Sequence, residues 1–191
     1  MIEESGPGGR PRSEKARVAV LHAVDDLLGE VGYAAMNMKG IAERAGVSRM
    51  TVYRWWSTKA EILFEASVID AEQELAVSAE GSAAEILADY STKLVRFLTE
   101  SAAGAAYRAL VGEAQHDQVV AELISSNDVL RSSARKALLA SGYSDGSGVP
   151  LEQACGLLVG PVFFWAMSGR LGRVDIEGSV AAFRRAVGSE H

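Results

Sequence analysis

The chain has 191 residues, 48% hydrophobic and 23% charged, which allows one large core or a small domain beside a larger one and excludes a disordered chain. A formal net charge of -6 argues by itself against a nucleic-acid partner, because clustered Lys and Arg drive phosphate binding. The charge is uneven, however, with nine Lys and Arg against seven Asp and Glu in residues 1–60 and ten against eighteen in residues 61–191, which predicts different partners for the two parts.

The predicted elements are all helices, about nine in number, because helical periodicity fills nearly every segment between Gly, Pro and Ser. Residues 1–12, rich in Gly and Pro, are expected to form a flexible arm. Ser13 is predicted to cap a first helix that Gly32 terminates. This helix is expected to bury one stripe at Val20, Val24, Leu27 and Val31.

Two short helices are predicted next. Asn37 is expected to cap one that runs through Ala45, Gly46 permits a sharp turn, and Ser48 is expected to cap a second that continues to about Trp56. Helices joined by so tight a turn can bury their apolar faces only by crossing steeply against the first helix.

The second short helix carries the side chains expected to read DNA. If Val52 and Trp56, four residues apart, face inward, the exposed sides carry Arg49, Met50, Thr51, Tyr53 and Arg54. Arginines reach guanine edges or phosphates, threonine offers a hydroxyl to phosphate and a methyl to thymine, and methionine adds apolar contact. This surface suits a major groove.

Longer helices follow in the rest of the chain. A helix predicted over 59–79 links the two parts, and a loop is predicted over 142–150. Further amphipathic helices are predicted at 82–101, 105–115, 118–141, 151–170 and 176–187.

A known family shares the central motif. The segment AERAGVSRMTVYRWWSTKAEIL, with Gly32, Tyr33 and Ile41 ahead of it, resembles in order and spacing the DNA-binding domain of the TetR family of transcriptional regulators. The resemblance covers about a third of the chain, and beyond Ala79 it rests on helix count and length. It implies an all-α fold with a helix-turn-helix domain over 13–60 and a helical effector-binding and dimerisation domain over 61–191.

The resemblance also implies a function and a set of DNA contacts. It implies a homodimer that binds double-stranded operator DNA of palindromic sequence, usually a repressor released by a small-molecule effector, and not an enzyme. The contacts it implies are Lys39, Arg49, Met50, Thr51, Tyr53, Trp55 and Lys59, and the predicted surface also includes Asn37, Ser48 and Arg54.

Three of the predicted positions allow two interpretations. Trp55 either donates its indole N–H to a phosphate or packs against the first helix. Arg10 and Arg12 either enter an A·T-rich minor groove or belong to an idle tail.

The resemblance places two further sites in the second domain. An effector pocket enclosed by the middle helices is implied at Tyr90, Phe97, Tyr107, Leu110, Glu113, His116 and Phe164. A four-helix dimer bundle is implied at Leu157, Leu158, Pro161, Val162, Trp165, Val180, Phe183, Arg184 and Val187.

Other chemistries are not predicted. His22, His116 and Cys155 lack metal-ligand spacing and no catalytic or phosphate-binding motif occurs, so neither metal nor cofactor is expected. The single cysteine and the absence of a signal-like opening predict a cytoplasmic protein, and the apolar stretch 156–167 is shorter than the roughly 20 residues of a membrane span.

Two alternative functions remain open at this point. The first is a helical ligand-binding or enzymatic protein with a vestigial DNA-binding domain. The second is a scaffold that recruits protein through Trp55 and Trp56, which leaves the exposed arginines and threonine unexplained.

Overall fold

A computed structural model describes residues 10–144, 148–170 and 174–188, with side chains from Glu14 onward. These ranges contain ten helices and no strand, which confirms the predicted all-α fold class. The first four helices are α1 (Arg10–Ala35), α2 (Met38–Arg44), α3 (Arg49–Tyr53) and α4 (Lys59–Glu74). The others are α5 (Ala83–Glu100), α6 (Ala102–Glu113), α7 (Gln118–Ser126), α8 (Val129–Ala140), α9 (Leu151–Met167) and α10 (Ile176–Ala186).

The chain divides into two compact units, the first ending at Ala66 and the second beginning at Ser67. In the first unit, α1 packs against α2 and α3. Its core contains fully buried aliphatic side chains from every one of its helices, namely Val20, Val24, Ile41, Val52, Ile62 and Leu63. Burial of such side chains is the main force that holds so short a pair as α2 and α3 in place.

The first helix differs from its prediction at both ends. Residues 10–12, predicted to be part of the arm, form its first turn, where the missing N–H of Pro11 breaks no hydrogen bond; residues 1–9 lie outside the described residues. Gly32, with φ 75° and ψ 166°, interrupts the helix as predicted. Val31 is half exposed rather than buried, because the regular helix ends beside it.

The second unit is built around α5, which packs against α6, α8, α9 and α10. Its core includes the fully buried side chains of Tyr90, Leu94, Phe97 and Leu138. The contact between α5 and α6 is so close that a Cβ atom on Gly104 would lie 1.7 Å from the carbonyl oxygen of Phe97.

The single helix predicted over 118–141 consists of two helices. It is interrupted at Asn127, and Asp128 starts α8 by accepting a hydrogen bond from the Arg131 N–H at 3.0 Å. None of the helices in the described ranges combines the length and the hydrophobicity required to cross a lipid bilayer.

Candidate nucleic-acid interface

The turn between α2 and α3 is fixed by side chains at both helix starts. Asn37 Oδ1 accepts a hydrogen bond from the Gly40 N–H at 3.0 Å, and Ser48 Oγ accepts one from the Thr51 N–H at 3.1 Å. Gly46 has φ 66°, a conformation that glycine adopts without strain. Both predicted caps and the predicted sharp turn are therefore confirmed.

Helix α3 buries one side and exposes the other, as predicted. Val52 is completely buried, whereas Met50 is 81% exposed and Tyr53 is 52% exposed. Arg49 is exposed and makes no hydrogen bond or ion pair with any described residue. Thr51 is half-buried, and its hydroxyl shares a hydrogen bond of 2.9 Å with Ser48 Oγ. Arg49, Met50 and Tyr53 thus face outward.

A buried anchor holds the end of α3. Trp56 is almost fully buried, and its indole Nε1 donates to Glu65 Oε2 at 2.8 Å. Arg17 of α1 forms an ion pair with the same carboxylate. Sequence reasoning predicted the burial of Trp56 but missed Glu65 and Arg17, since their pairing joins residues 48 positions apart and no local pattern marks it.

Trp55 is half-buried and lies between its two sequence neighbours. Its ring meets the ring of Trp56 edge to face, with centroids 5.4 Å apart, and the guanidinium of Arg54 lies 4.9 Å from its centre. Both of these ring contacts are with its sequence neighbours. Trp55 and Arg54 therefore form a cationic, aromatic ledge directly after α3.

The lysines and arginines of this unit differ in how many hydrogen bonds and ion pairs they form within the protein. Lys59 Nζ donates to the carbonyl oxygens of Tyr33 at 2.7 Å and Met36 at 3.0 Å, which leaves one of its three N–H groups. Lys39 is exposed and lies 3.7 Å from Glu43.

Arg44, at the end of α2, forms ion pairs with two acidic residues of α1. Its hydrogen bonds lower the pKa of Glu30 below the ordinary glutamate value, and it also reaches Asp26 at 3.5 Å. Arg10 and Arg12 lie in the first turn of α1, and their side chains are outside the described part of the chain.

The second unit contains a cavity of about 280 Å³ between α6, the start of α8 and α9. Tyr107 and Asp128 border it together with the apolar side chains of Leu130, Val159 and Phe163. Its charged rim is an ion pair in which Arg131 donates to Glu152 at 3.0 Å.

The structure does not bring the predicted effector-pocket residues together. Only Tyr107 borders this cavity; Tyr90, Phe97 and Leu110 are core residues, Glu113 is half-buried and His116 is exposed, and Phe164 lies on the outer face of α9. The cavity residues Asp128, Glu152 and Cys155 were not predicted, because only the packing of three helices brings them into one place.

The predicted dimer residues fall into two groups. Five of them already pack inside the second unit, since α9 and α10 cover α5 with these side chains: Leu158, Val162, Val180, Phe183 and Val187. Leu157 and Pro161 are exposed, whereas Trp165 and Arg184 are half-buried. The large exposed hydrophobic side chains of α9 are those of Leu157, Phe164 and Met167, which share one face at helical spacing.

Helices α2 and α3 are both capped and are joined by a tight turn. Val52 and Trp56 hold the second of them against the core. This arrangement defines a helix-turn-helix DNA-binding protein. Residues 20–66 match the family model described as bacterial regulatory proteins, tetR family. Over 160 residues the chain is 36% identical to the HTH-type transcriptional regulator YdeS of Bacillus subtilis (strain 168), covering 82% of this chain and 80% of YdeS. The chain belongs to the TetR family of bacterial regulatory proteins.

Solved structures support the same fold over nearly the whole chain. The TetR family transcription regulator SCO0332 superposes with a TM-score of 0.71 at 24% identity, covering 91% of this chain and 98% of that protein. RolR, solved in complex with resorcinol, superposes with a TM-score of 0.64 at 19% identity, covering 93% and 89%. Family membership confirms the prediction of a DNA-binding transcriptional regulator rather than an enzyme.

Proposed function

We propose that this regulator is a repressor that binds a palindromic operator as a homodimer and leaves it when a small molecule binds the helical domain. In this proposal residues 13–60 bind DNA, residues 61–191 bind the effector and the partner subunit, and the protein acts in the cytoplasm, where its operator lies. The observation that carries the proposal is the outward placement of Arg49, Met50 and Tyr53 on a helix whose Val52 is completely buried.

Each copy of α3 is proposed to enter a major groove. Arg49 then reads a base edge, Met50 and Tyr53 supply apolar and hydroxyl contacts, and Thr51 contacts the backbone or a thymine methyl. Two such helices in successive grooves lie about 34–36 Å apart, which fixes half-sites near one turn of DNA.

Phosphate contacts are proposed around this reading helix. The candidates are Lys39, the one remaining N–H of Lys59, the Arg54–Trp55 ledge, and the polar caps Asn37 and Ser48, with Arg10 and Arg12 as candidates for the minor groove. Such contacts fix the orientation of a protein on the duplex without reading its sequence.

The dimer is proposed to form through the outer face of α9. Phe164 is 62% exposed there, and Leu157 lies seven residues before it on the same side. A regulator that binds an operator of two-fold symmetry is expected to form a symmetric dimer. The exposed apolar strip on α9 is then best covered by the same strip of a second copy.

The effector is proposed to occupy the cavity beside Tyr107. At about 280 Å³ this cavity is just below the size range of about 300–1,000 Å³ typical of small-molecule sites, and apolar walls with a few polar groups are typical of such sites. The resorcinol complex of RolR provides a precedent for a small ligand in a protein of this fold.

Operator selection from genomic DNA followed by gel shifts tests the proposal. Arg49→Ala should relax base preference at one position of each half-site, whereas Lys39→Ala should weaken all sequences alike and lower the salt slope by about one per subunit. Arg96→Ala is the matched control, because it removes an equal charge from an exposed site on α5. Sequence preference and affinity that stay unchanged in both folded interface variants contradict the proposal.

A further inference from the structure

The polar lining of the cavity beside Tyr107 indicates which ligands it can accept. Tyr107 is only 5% exposed, and its hydroxyl makes no hydrogen bond with any described residue. Burial raises the pKa of this phenol, with a smaller contribution from the negative charge of Asp128, so the group stays neutral. Because Tyr107 borders the cavity and its hydroxyl has no hydrogen-bond partner among the described residues, a polar atom of an occupant can pair with it.

The charges around the cavity are unfavourable for an anion. Arg131 borders the cavity, but its guanidinium donates to Glu152 at 3.0 Å, and Arg135 reaches the same carboxylate at 3.4 Å. The Asp128 carboxylate adds a second negative charge at the start of α8. A carboxylate or phosphate ligand would therefore meet two carboxylates and, among the described lining residues, no cation outside an ion pair.

The remaining walls favour a compact apolar body. Leu130 and Val159 are aliphatic, and Phe163 offers a ring face or edge. A volume of about 280 Å³ is too small for a long acyl chain but holds one or two rings. The Cys155 thiol also borders the space, and its pKa is raised by burial and by the charge of Glu152, so it is an unreactive part of the wall.

We propose that the effector is a compact, uncharged ring compound whose single polar oxygen hydrogen-bonds to the Tyr107 hydroxyl while its ring packs between Leu130, Val159 and Phe163. This inference rests on the proposed effector function of the cavity and specifies the chemistry of that site.

Calorimetric titration of the full chain with phenol, toluene and benzoate tests the chemistry. Phenol should bind about 3- to 10-fold more tightly than toluene, which lacks the oxygen, and benzoate should bind most weakly. Tyr107→Phe should abolish the preference for phenol over toluene. Tyr143→Phe, which removes a hydroxyl elsewhere in the same unit, should preserve it. A preference that is absent, or that survives in Tyr107→Phe, overturns the inference.

A second pair of variants tests the location. A side chain on Gly156, which borders the cavity, meets no atom within 4 Å at its Cβ, so Gly156→Leu should fill the space and abolish phenol binding. Gly112→Leu, at an equally open helix position away from the cavity, should leave it intact. Phenol binding that survives in Gly156→Leu places the ligand elsewhere and overturns the inference.

A charge variant tests the exclusion of anions. Asp128→Asn keeps a side chain able to cap α8 but removes one negative charge, so benzoate should bind several-fold more tightly than it does to the native chain. Operator binding measured without ligand separates the two proposals. A native chain that binds no operator contradicts the proposed function. A native chain that binds its operator but not phenol contradicts the ligand chemistry alone.

Discussion

The ammonium group of Lys59 lies 4.1 Å from the centre of the Tyr33 ring and donates to the carbonyl oxygen of the same residue at 2.7 Å. A second hydrogen bond, to the Met36 carbonyl, ties the first turn of α4 to the segment between α1 and α2. The sequence resemblance implies a phosphate contact for Lys59, and the structure adds this internal role.

Lys59→Ala should therefore lower the free energy of unfolding by about 1–3 kcal/mol, because two carbonyl groups lose a charged donor. Lys39→Ala should change it by less than about 1 kcal/mol, since an exposed ion pair contributes little. Urea denaturation followed by circular dichroism measures both. Equal effects of the two substitutions would show that the Lys59 contacts contribute nothing to stability.

The contact between α5 and α6 depends on the missing side chain of Gly104. Gly104→Ala places a methyl group 1.7 Å from the Phe97 carbonyl oxygen, which forces the helices apart and should cost at least about 1–3 kcal/mol. Gly112→Ala on the same helix meets nothing within 4 Å and should leave the melting temperature unchanged or slightly raised. Thermal melts of the two variants decide the matter, and a Gly104→Ala protein as stable as the native one contradicts this helix contact.

The proposed dimer face gives a third prediction. Phe164→Asp places a charge in the centre of the exposed strip on α9 and should convert the dimer to a monomer that binds single half-sites weakly. Val119→Asp is the matched control, because Val119 is 63% exposed on α7, away from that strip. Sedimentation velocity distinguishes the two states. A dimeric Phe164→Asp protein rules out α9 as the main interface.

The start of α5 gives a dependence on pH. The backbone N–H and the hydroxyl of Ser82 each donate to Glu85 Oε2 at 2.8 Å. Both hydrogen bonds lower the pKa of the Glu85 carboxyl, and the backbone N–H has the larger effect. The stability from this charge is therefore full above the ordinary glutamate pKa of about 4.3 and is lost as the pH falls through the lower folded value.

Glu85→Gln should accordingly be less stable than the native chain at pH 7, with the difference shrinking at acidic pH. Glu100→Gln, at the other end of the same helix, is the matched control, because the Glu100 carboxylate is exposed and does not cap the helix start. Urea denaturation at several pH values measures the difference for each variant. If the difference in unfolding free energy between Glu85→Gln and the native chain stays constant down to pH 3, the charge on Glu85 does not stabilise the start of α5.

Local chemistry made the DNA-binding unit predictable. Asn37 and Ser48 cap the helices that their side chains were expected to cap, and Gly32 and Gly46 take the positive φ values that glycine alone adopts easily. The burial of Val52 follows from a spacing of four residues on one short helix. Each of these features is decided within a few positions of the chain.

The second unit was predicted only in outline, because its sites depend on distant packing. Helix α9 is apolar nearly all round, so its composition did not show that Leu158 and Val162 face the core while Phe164 faces outward. Asp128 was the missed signal: a capping residue inside the apparent helix 118–141 marks the start of α8. The cavity required three helices to meet before its residues could be named.

The separation of buried and exposed side chains on and directly after α3 has a consequence for how regulators of this kind diverge. Val52 and Trp56 hold the helix through buried contacts and the Glu65 carboxylate, while Arg49, Met50 and Tyr53 are exposed. If α3 reads DNA as proposed, a duplicated copy of the gene can acquire a new target by substitutions at these exposed positions. Retargeting then requires no compensating change in the core, which makes this surface a practical starting point for engineering new genetic switches.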